Sequence, residues 1–196
     1  MKKRNIKAKA ALILIGFMVL VMIAQTASAE ALTDKAGETQ SLIIIGCALA
    51  IGIAGVGSAL GLMLAGTSAV AVTGEKPELF GKCLVFQVLP MTQAVYGLLT
   101  AILLMMGAGL LGGGVGAEKL ASTPMLGLSA IGIGLAVGLT GISAANQGMV
   151  ASASIAATAR NPDVAARGII YTVMPETIAI FGLLVGILLM TGLGLL

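Results

Sequence analysis

The chain has 196 residues, 58% of them hydrophobic and only 10% charged, with a mean hydropathy of +1.09; a water-soluble domain carries about a quarter charged residues, so this composition excludes one and belongs in lipid. With 28 Gly and 11 Met but no Trp, no His and 3% aromatic residues, it lacks the bulk of a soluble core and favours helices that approach closely. The net charge of +3 comes from basic residues at the extreme N-terminus and in short connections, which reads as membrane topology and not as a nucleic-acid surface.

In chain order, Lys2, Lys3, Arg4, Lys7 and Lys9 precede an apolar run from Ala10 to Ala24, and Ala27-Ser28-Ala29 supplies the small-x-small pattern of a signal-peptidase site. This predicts a signal peptide over residues 1–29, cleaved before Glu30. The alternative is an uncleaved N-terminal helix, because residues 10–29 supply the roughly 20 residues that cross a bilayer. Either way the basic cluster stays in the cytoplasm, which puts residues 30–40 outside.

Beyond this segment the charges cluster. They leave uncharged stretches at Gln40–Gly74, Cys83–Ala117 and Leu120–Ala159, then a fourth apolar stretch at Gly168–Leu196. Each is long enough to span as a helix. The separators are Glu75-Lys76-Pro77-Glu78 through Lys82, a glycine-rich turn at 112–116 with Glu118 and Lys119, and Arg160-Asn161-Pro162-Asp163 through Arg167. The basic residues of the first and third separators place 75–82 and 160–167 in the cytoplasm and the C-terminus outside, in a multi-pass cell-membrane protein. Cys47 and Cys83 lie in or beside apolar stretches without CxxC spacing and read as buried free thiols.

Shifting the chain by 85 positions lays the second half on the first, without a gap, from about Ile51 to Leu111: Pro77 meets Pro162, Pro90 meets Pro175, Thr92 meets Thr177 and Gly97 meets Gly182. The predicted fold is therefore all-α, four transmembrane helices forming two tandem hairpins, residues 40–112 and 120–196. Both halves cross in the same direction, unlike the inverted repeats of many secondary transporters. The first helix of each hairpin is rich in glycine, with a GxxxG pair at Gly57 and Gly61, and the second is rich in Leu, Met and Phe. A ring with small-residue helices inside and bulky ones towards lipid uses both properties; a monomeric four-helix bundle is the plainer alternative.

Within these stretches there is one carboxylate, Glu176, in Val173-Met174-Pro175-Glu176-Thr177. An acidic residue at the centre of a membrane helix costs about 2.5–3.5 kcal/mol. No basic residue in any span can pair with it, so its partner is a proton, a cation or polar side chains. An ion site is the default expectation, and a structural, hydrogen-bonded neutral glutamate is the alternative.

The equivalent helix of the first half supplies oxygens. Leu89, Thr92, Gln93 and Tyr96 fall at i, i+3, i+4 and i+7, on one helix face, and Gln147 is a further amide in the third span. Pro90 and Pro175 each remove a backbone donor, which leaves carbonyls free to coordinate. A carboxylate with neutral oxygens is a hard-oxygen set that suits an alkali cation such as Na+ rather than a soft transition metal. Threonine in a membrane helix also bonds back to its own backbone, the structural alternative for Thr92. Position 91, the counterpart of Glu176, is Met, so the duplicated chain keeps one charged site in four helices.

Over about 42–196 the sequence resembles the duplicated proteolipid, subunit K or c, of V-type and A-type rotary ATPases. The resemblance rests on Leu89-Pro90-x-Thr92-Gln93-x-x-Tyr96-Gly97, the Gln147 segment, Asn161-Pro162 and Pro175-Glu176-Thr177. It implies a non-catalytic rotor subunit that assembles into a homo-oligomeric ring in the bilayer and turns against a stator membrane subunit with a fixed arginine, coupled to a central-stalk subunit on the cytoplasmic side. It also implies a sodium-type site made of the Leu89 carbonyl, Thr92, Gln93, Gln147 and Glu176, with Tyr96 hydrogen-bonding the carboxylate. H+ is the alternative ion at the same site. Met91 departs from the family, which usually has a small residue, most often Gly, at that position. The chain contains no GxxxxGK[ST] motif, so nucleotide chemistry and any organic cofactor belong elsewhere. A small secondary transporter using Glu176 for coupling, or a structural membrane pore, is the competing class.

Overall fold

The computed structural model describes residues 35–196; the expected signal segment 1–29 lies outside the described residues. Among the described residues, four helical segments are long and apolar enough to cross a membrane: Ala36–Glu75, Pro77–Gly107, Met125–Arg160 and Pro162–Gly192. Helix is the form such sequences take in lipid, because it satisfies every backbone N–H and C=O within the segment.

The first span is one continuous helix, α1 (Lys35–Glu75). The second runs through a 3-10 turn at Pro77–Leu79, α2 (Phe80–Val88), a second 3-10 turn at Leu89–Met91 and α3 (Thr92–Gly107). A short helix, α4 (Ala117–Ser122), lies in the connection to the third span. That span is α5 (Met125–Gly141) followed, across Ile142, by α6 (Ser143–Arg160). The fourth is a 3-10 turn at Pro162–Val164, α7 (Ala165–Val173) and, after Pro175, α8 (Glu176–Gly192).

The two hairpin turns are tighter than the charge clusters suggest. The second and fourth spans begin at Pro77 and Pro162, so Glu78, Lys82, Asp163 and Arg167 ride on helical turns that extend beyond the apolar stretch. Proline opens each turn, where its missing N–H is no loss. Asn161 seals the second turn by accepting the Asp163 N–H at 3.0 Å. Lysines tie the two turns together: Lys76 Nζ donates to Ala159 O at 2.6 Å and Lys82 Nζ to Pro162 O at 3.0 Å.

At the opposite end, Gly109, Gly112, Gly113 and Gly114 adopt φ of +74°, +89°, +76° and +73°, the left-handed region open to glycine at little cost. This loop returns the chain sharply, and α4 occupies a stretch that the charge pattern assigns to the turn and the start of a span. The third span starts only after Pro124. Lys119 Nζ caps the end of the fourth span at Gly194 O, 3.0 Å away.

Spans 1 and 3 form the buried centre, through backbone contact that only glycine permits. A Cβ on Gly46 would strike Ala130 backbone, one on Gly57 would lie 2.6 Å from Gly141 O, and one on Gly148 would strike Gly61. Spans 2 and 4 pack outside and turn large apolar side chains away from the chain, among them Leu188 and Phe181.

The structure corrects the register of the repeat. Gly97 of span 2 faces Ala54 of span 1, and its counterpart Gly182 faces Thr140 of span 3. The outer helices are therefore related by 85 residues but this part of the inner helices by 86. One residue fewer separates Thr140 from Arg160 than Ala54 from Glu75, so the ungapped alignment misplaces this part of the inner helices by one position. The interruption at Ile142 falls in that shortened stretch.

Candidate functional site

Three of the four spans are interrupted near one depth. In span 2, Pro90 has no N–H to donate, and the helix tightens into the 3-10 turn at Leu89–Met91. Leu89 O there accepts both the Thr92 N–H and, at 3.0 Å, the Thr92 hydroxyl. In span 4 the break at Pro175 repeats the pattern, with Met174 O accepting the Thr177 hydroxyl at 2.8 Å. Glu176 becomes the first residue of α8, where unpaired N–H groups make the helix end favourable to an acidic side chain.

A continuous polar network crosses spans 2, 3 and 4. Tyr96 Oη donates to Glu176 Oε1 at 2.7 Å, and Gln147 Nε2 donates to Oε2 at 3.4 Å. Gln93 Nε2 donates to Gln147 Oε1 at 2.7 Å, and the Thr92 hydroxyl lies 3.1 Å from Gln93 Oε1. Gln93 and Gln147 are fully buried, while Thr92, Tyr96 and Glu176 are half-buried. Every side chain singled out in the sequence enters this network, and Leu89 enters through its carbonyl.

The close contact of spans 1 and 3 sits directly behind it. A Cβ on Gly61 would strike Ala144 O and come within 2.6 Å of Pro90 Cβ. Bare glycine at 61 and 148 lets α6 approach until Gln147 reaches both Gln93 and Glu176. Ser58, on α1, is a site residue that the sequence analysis does not name. Its hydroxyl accepts the Ala94 N–H at 3.0 Å, an amide that an unbroken helix would have paired with the carbonyl of residue 90. The available signal was a hydroxyl in the first span at the depth of Pro90.

Chemically, the cluster holds one carboxylate and a set of neutral oxygens: Leu89 O, Thr92 Oγ1 and two amide oxygens. Among the described residues no group of three His, Cys, Asp or Glu side chains comes together. The donors present are those preferred by hard cations. The same carboxylate can take a proton.

The two halves of the chain, residues 45–104 and 131–189, each match the family model of the ATP synthase C subunit, and the chain belongs to that family. The matched stretches begin 86 residues apart and end 85 apart, in agreement with the register seen in the packing. Among relatives, the chain is 48% identical over 142 residues to A-type ATP synthase subunit K of Methanocaldococcus jannaschii, covering 72% of this chain and 60% of that protein. It is 36% identical over 147 residues to V-type sodium ATPase subunit K of Enterococcus hirae, covering 74% and 88%. It is 32% identical over 153 residues to the 16 kDa proteolipid of the V-type proton ATPase of Nephrops norvegicus, covering 76% and 89%.

Proposed function

We propose that this chain is an ion-carrying rotor subunit of an A- or V-type rotary ATPase, non-catalytic itself, in which Glu176 binds and releases Na+ once per passage of a stator. The observation that carries this reading is the network of Glu176, Tyr96, Gln147, Gln93 and Thr92, which gathers one carboxylate and several neutral oxygens at a break in three spans. The Leu89 carbonyl, the Thr92 hydroxyl, the amide oxygens of Gln93 and Gln147 and the Glu176 carboxylate are the cation ligands; Tyr96 holds the carboxylate in place.

The cycle follows from the cost of charge in lipid. While Glu176 faces the bilayer it has to be neutralised by its ion, because a bare carboxylate there is expensive. Beside a fixed arginine of a stator subunit the ionised, empty form is favoured and the ion leaves. A ring of copies, turned by a central stalk on the cytoplasmic side, repeats this step. Residues 75–82 and 160–167 face the cytoplasm and the C-terminus lies outside, supported by Lys76, Lys82, Arg160 and Arg167 at the hairpin turns.

The competing ion is H+, a reading favoured by the similarity to a relative named as a proton ATPase proteolipid. Carbodiimide labelling of Glu176 at fixed pH, read by mass spectrometry, separates the two. Protection by Na+ is the expected result; labelling that follows pH and ignores Na+ replaces the Na+ reading with a proton-carrying ring.

A further inference from the structure

Hydroxyl side chains in these spans commonly bond back to their own helix. Ser41 donates to Gly37 O, Thr100 to Tyr96 O, Thr140 to Ala136 O and Thr191 to Ile187 O, each four residues back. Ser58 departs from this pattern. It is 2% exposed, and its oxygen turns across to span 2, where it accepts the Ala94 N–H at 3.0 Å. Ala94 is the third residue of α3, so its amide is one of the first-turn donors that lack a carbonyl within the helix. Such a donor is ordinarily capped by the side chain of the residue just before the helix. That residue is Met91, which makes no side-chain cap. A neighbouring span supplies the cap instead.

The cap lies on the line along which span 1 meets span 2. A Cβ on Gly97 would lie 3.0 Å from Ala54 Cβ, and one on Gly61 would lie 2.6 Å from Pro90 Cβ; Ser58 and Ala94 meet between these two contacts. α1 runs unbroken past this point and so fixes where the broken helix resumes. Thr92 and Gln93 are the residues just before Ala94. The Thr92 hydroxyl lies 3.1 Å from Gln93 Oε1, and Gln93 Nε2 reaches Gln147 Oε1 at 2.7 Å, so the position of the helix start is passed on to the neutral ligands. The second half of the chain lacks this arrangement. The 85-residue shift pairs Ser58 with Ser143 and Ala94 with Ala179, yet the Ser143 hydroxyl is buried without a partner among the described residues. Span 4 carries the carboxylate, at the first residue of α8. The cross-span cap therefore accompanies the neutral ligands and not the charge.

We propose that Ser58 is a positioning residue of the ion site, which caps α3 from the neighbouring span and thereby favours Na+ over H+ at Glu176. A cation is selected by the number of its oxygen ligands and by how rigidly they are held, whereas a proton needs only the carboxylate. Without the Ser58 oxygen, the Ala94 amide is free to turn towards the Pro90 carbonyl and the start of α3 loosens. Na+ then loses the fixed geometry of Thr92 and Gln93. Binding of a proton, which uses neither of them, is left as it was.

This inference rests on the Na+ reading above, and the test separates their failures. Ser58→Ala is compared in membranes with the unsubstituted protein by carbodiimide labelling of Glu176, titrated once with Na+ at fixed pH and once with pH in the absence of Na+. Loss of a neutral hydrogen bond changes an equilibrium constant roughly three- to tenfold, and the Na+ concentration that half-protects Glu176 is expected to rise by that factor. The pH of half-maximal labelling without Na+, and the assembled mass in native mass spectrometry, are expected to stay the same. Unaltered Na+ protection in the variant overturns the role of Ser58 and leaves the Na+ site standing. A shift of both titrations also overturns it, because a general loosening of the fold would act on both. Failure of Na+ to protect the unsubstituted protein removes the Na+ reading and this inference with it. Should Ser58→Ala not assemble, Ser58→Cys decides, since sulfur nearly keeps the shape and is a weak acceptor. A rise in the half-protecting Na+ concentration alone supports the proposal, and no rise overturns it.

Discussion

At the scale of single residues, the network around Glu176 divides into charge, ligand and positioning roles that substitutions can separate. Glu176→Gln removes the charge at nearly constant shape. It is expected to abolish carbodiimide labelling and ion-coupled transport while the assembled mass, read by native mass spectrometry, stays unchanged. Tyr96→Phe removes only the 2.7 Å hydrogen bond to Glu176 Oε1. A hydrogen bond to a charged group contributes about 1.5–3 kcal/mol, so the Na+ concentration that half-protects Glu176 is expected to rise roughly ten- to hundredfold; an unchanged value would show that Tyr96 does not position the carboxylate. Na+ and H+ neutralise the same group, so that half-protecting concentration is also expected to rise as pH falls, because the competing proton becomes more abundant. Titrating protection at several pH values checks the sign.

At the scale of elements, what brings the ligands together is the interruption of three spans beside one that is unbroken. The prolines account for two of these breaks. The third, at Ile142, accompanies the stretch of span 3 that is one residue shorter than its counterpart. Behind them, Gly61 and Gly148 set the distance between α1 and α6. A methyl group at residue 148 would meet Gly61 backbone, and overpacking of this kind costs about 1–3 kcal/mol. Gly148→Ala is therefore expected to weaken Na+ protection of Glu176 and lower the thermal stability of the assembly in detergent. Gly81→Ala is the contrast, since nothing lies within 4 Å of a Cβ there. On an exposed helical turn it is expected to be neutral or stabilising by about 0.5–1 kcal/mol, read by the same thermal unfolding.

At the scale of the whole molecule, the duplication has produced two different uses of one geometry: a polar cluster within the chain and an apolar surface at the repeat-related position. Restoring the missing charge alone does not restore a site. Met91→Glu places a carboxylate on an exposed position of span 2 that is outside the hydrogen-bond network of Glu176. It is expected to destabilise the assembly and to give no second Na+-protected carbodiimide target. A protected, labelled Glu at residue 91 would show that the surroundings matter less than the carboxylate itself.

Much of this was legible in the sequence, for a physical reason. Lipid demands helices, so hydropathy and charge clusters disclose the spans, and a lone carboxylate among apolar residues discloses its own importance. The prolines, Thr92, Gln93, Tyr96 and Gln147 could be named because polar groups are costly there and stand out. What only the tertiary structure decided depends on distances between helices. It showed that the part of the inner helices around Ala54 and Thr140 registers at 86 residues and not 85, and that the charged turns continue as helix. It also gave Ser58 the amide freed at Ala94, and showed Gly61 and Gly148 bringing Gln147 up to Glu176. Helix periodicity places a residue on a face, but how closely two faces approach is set by the packing of backbone on backbone, which no single stretch of sequence contains.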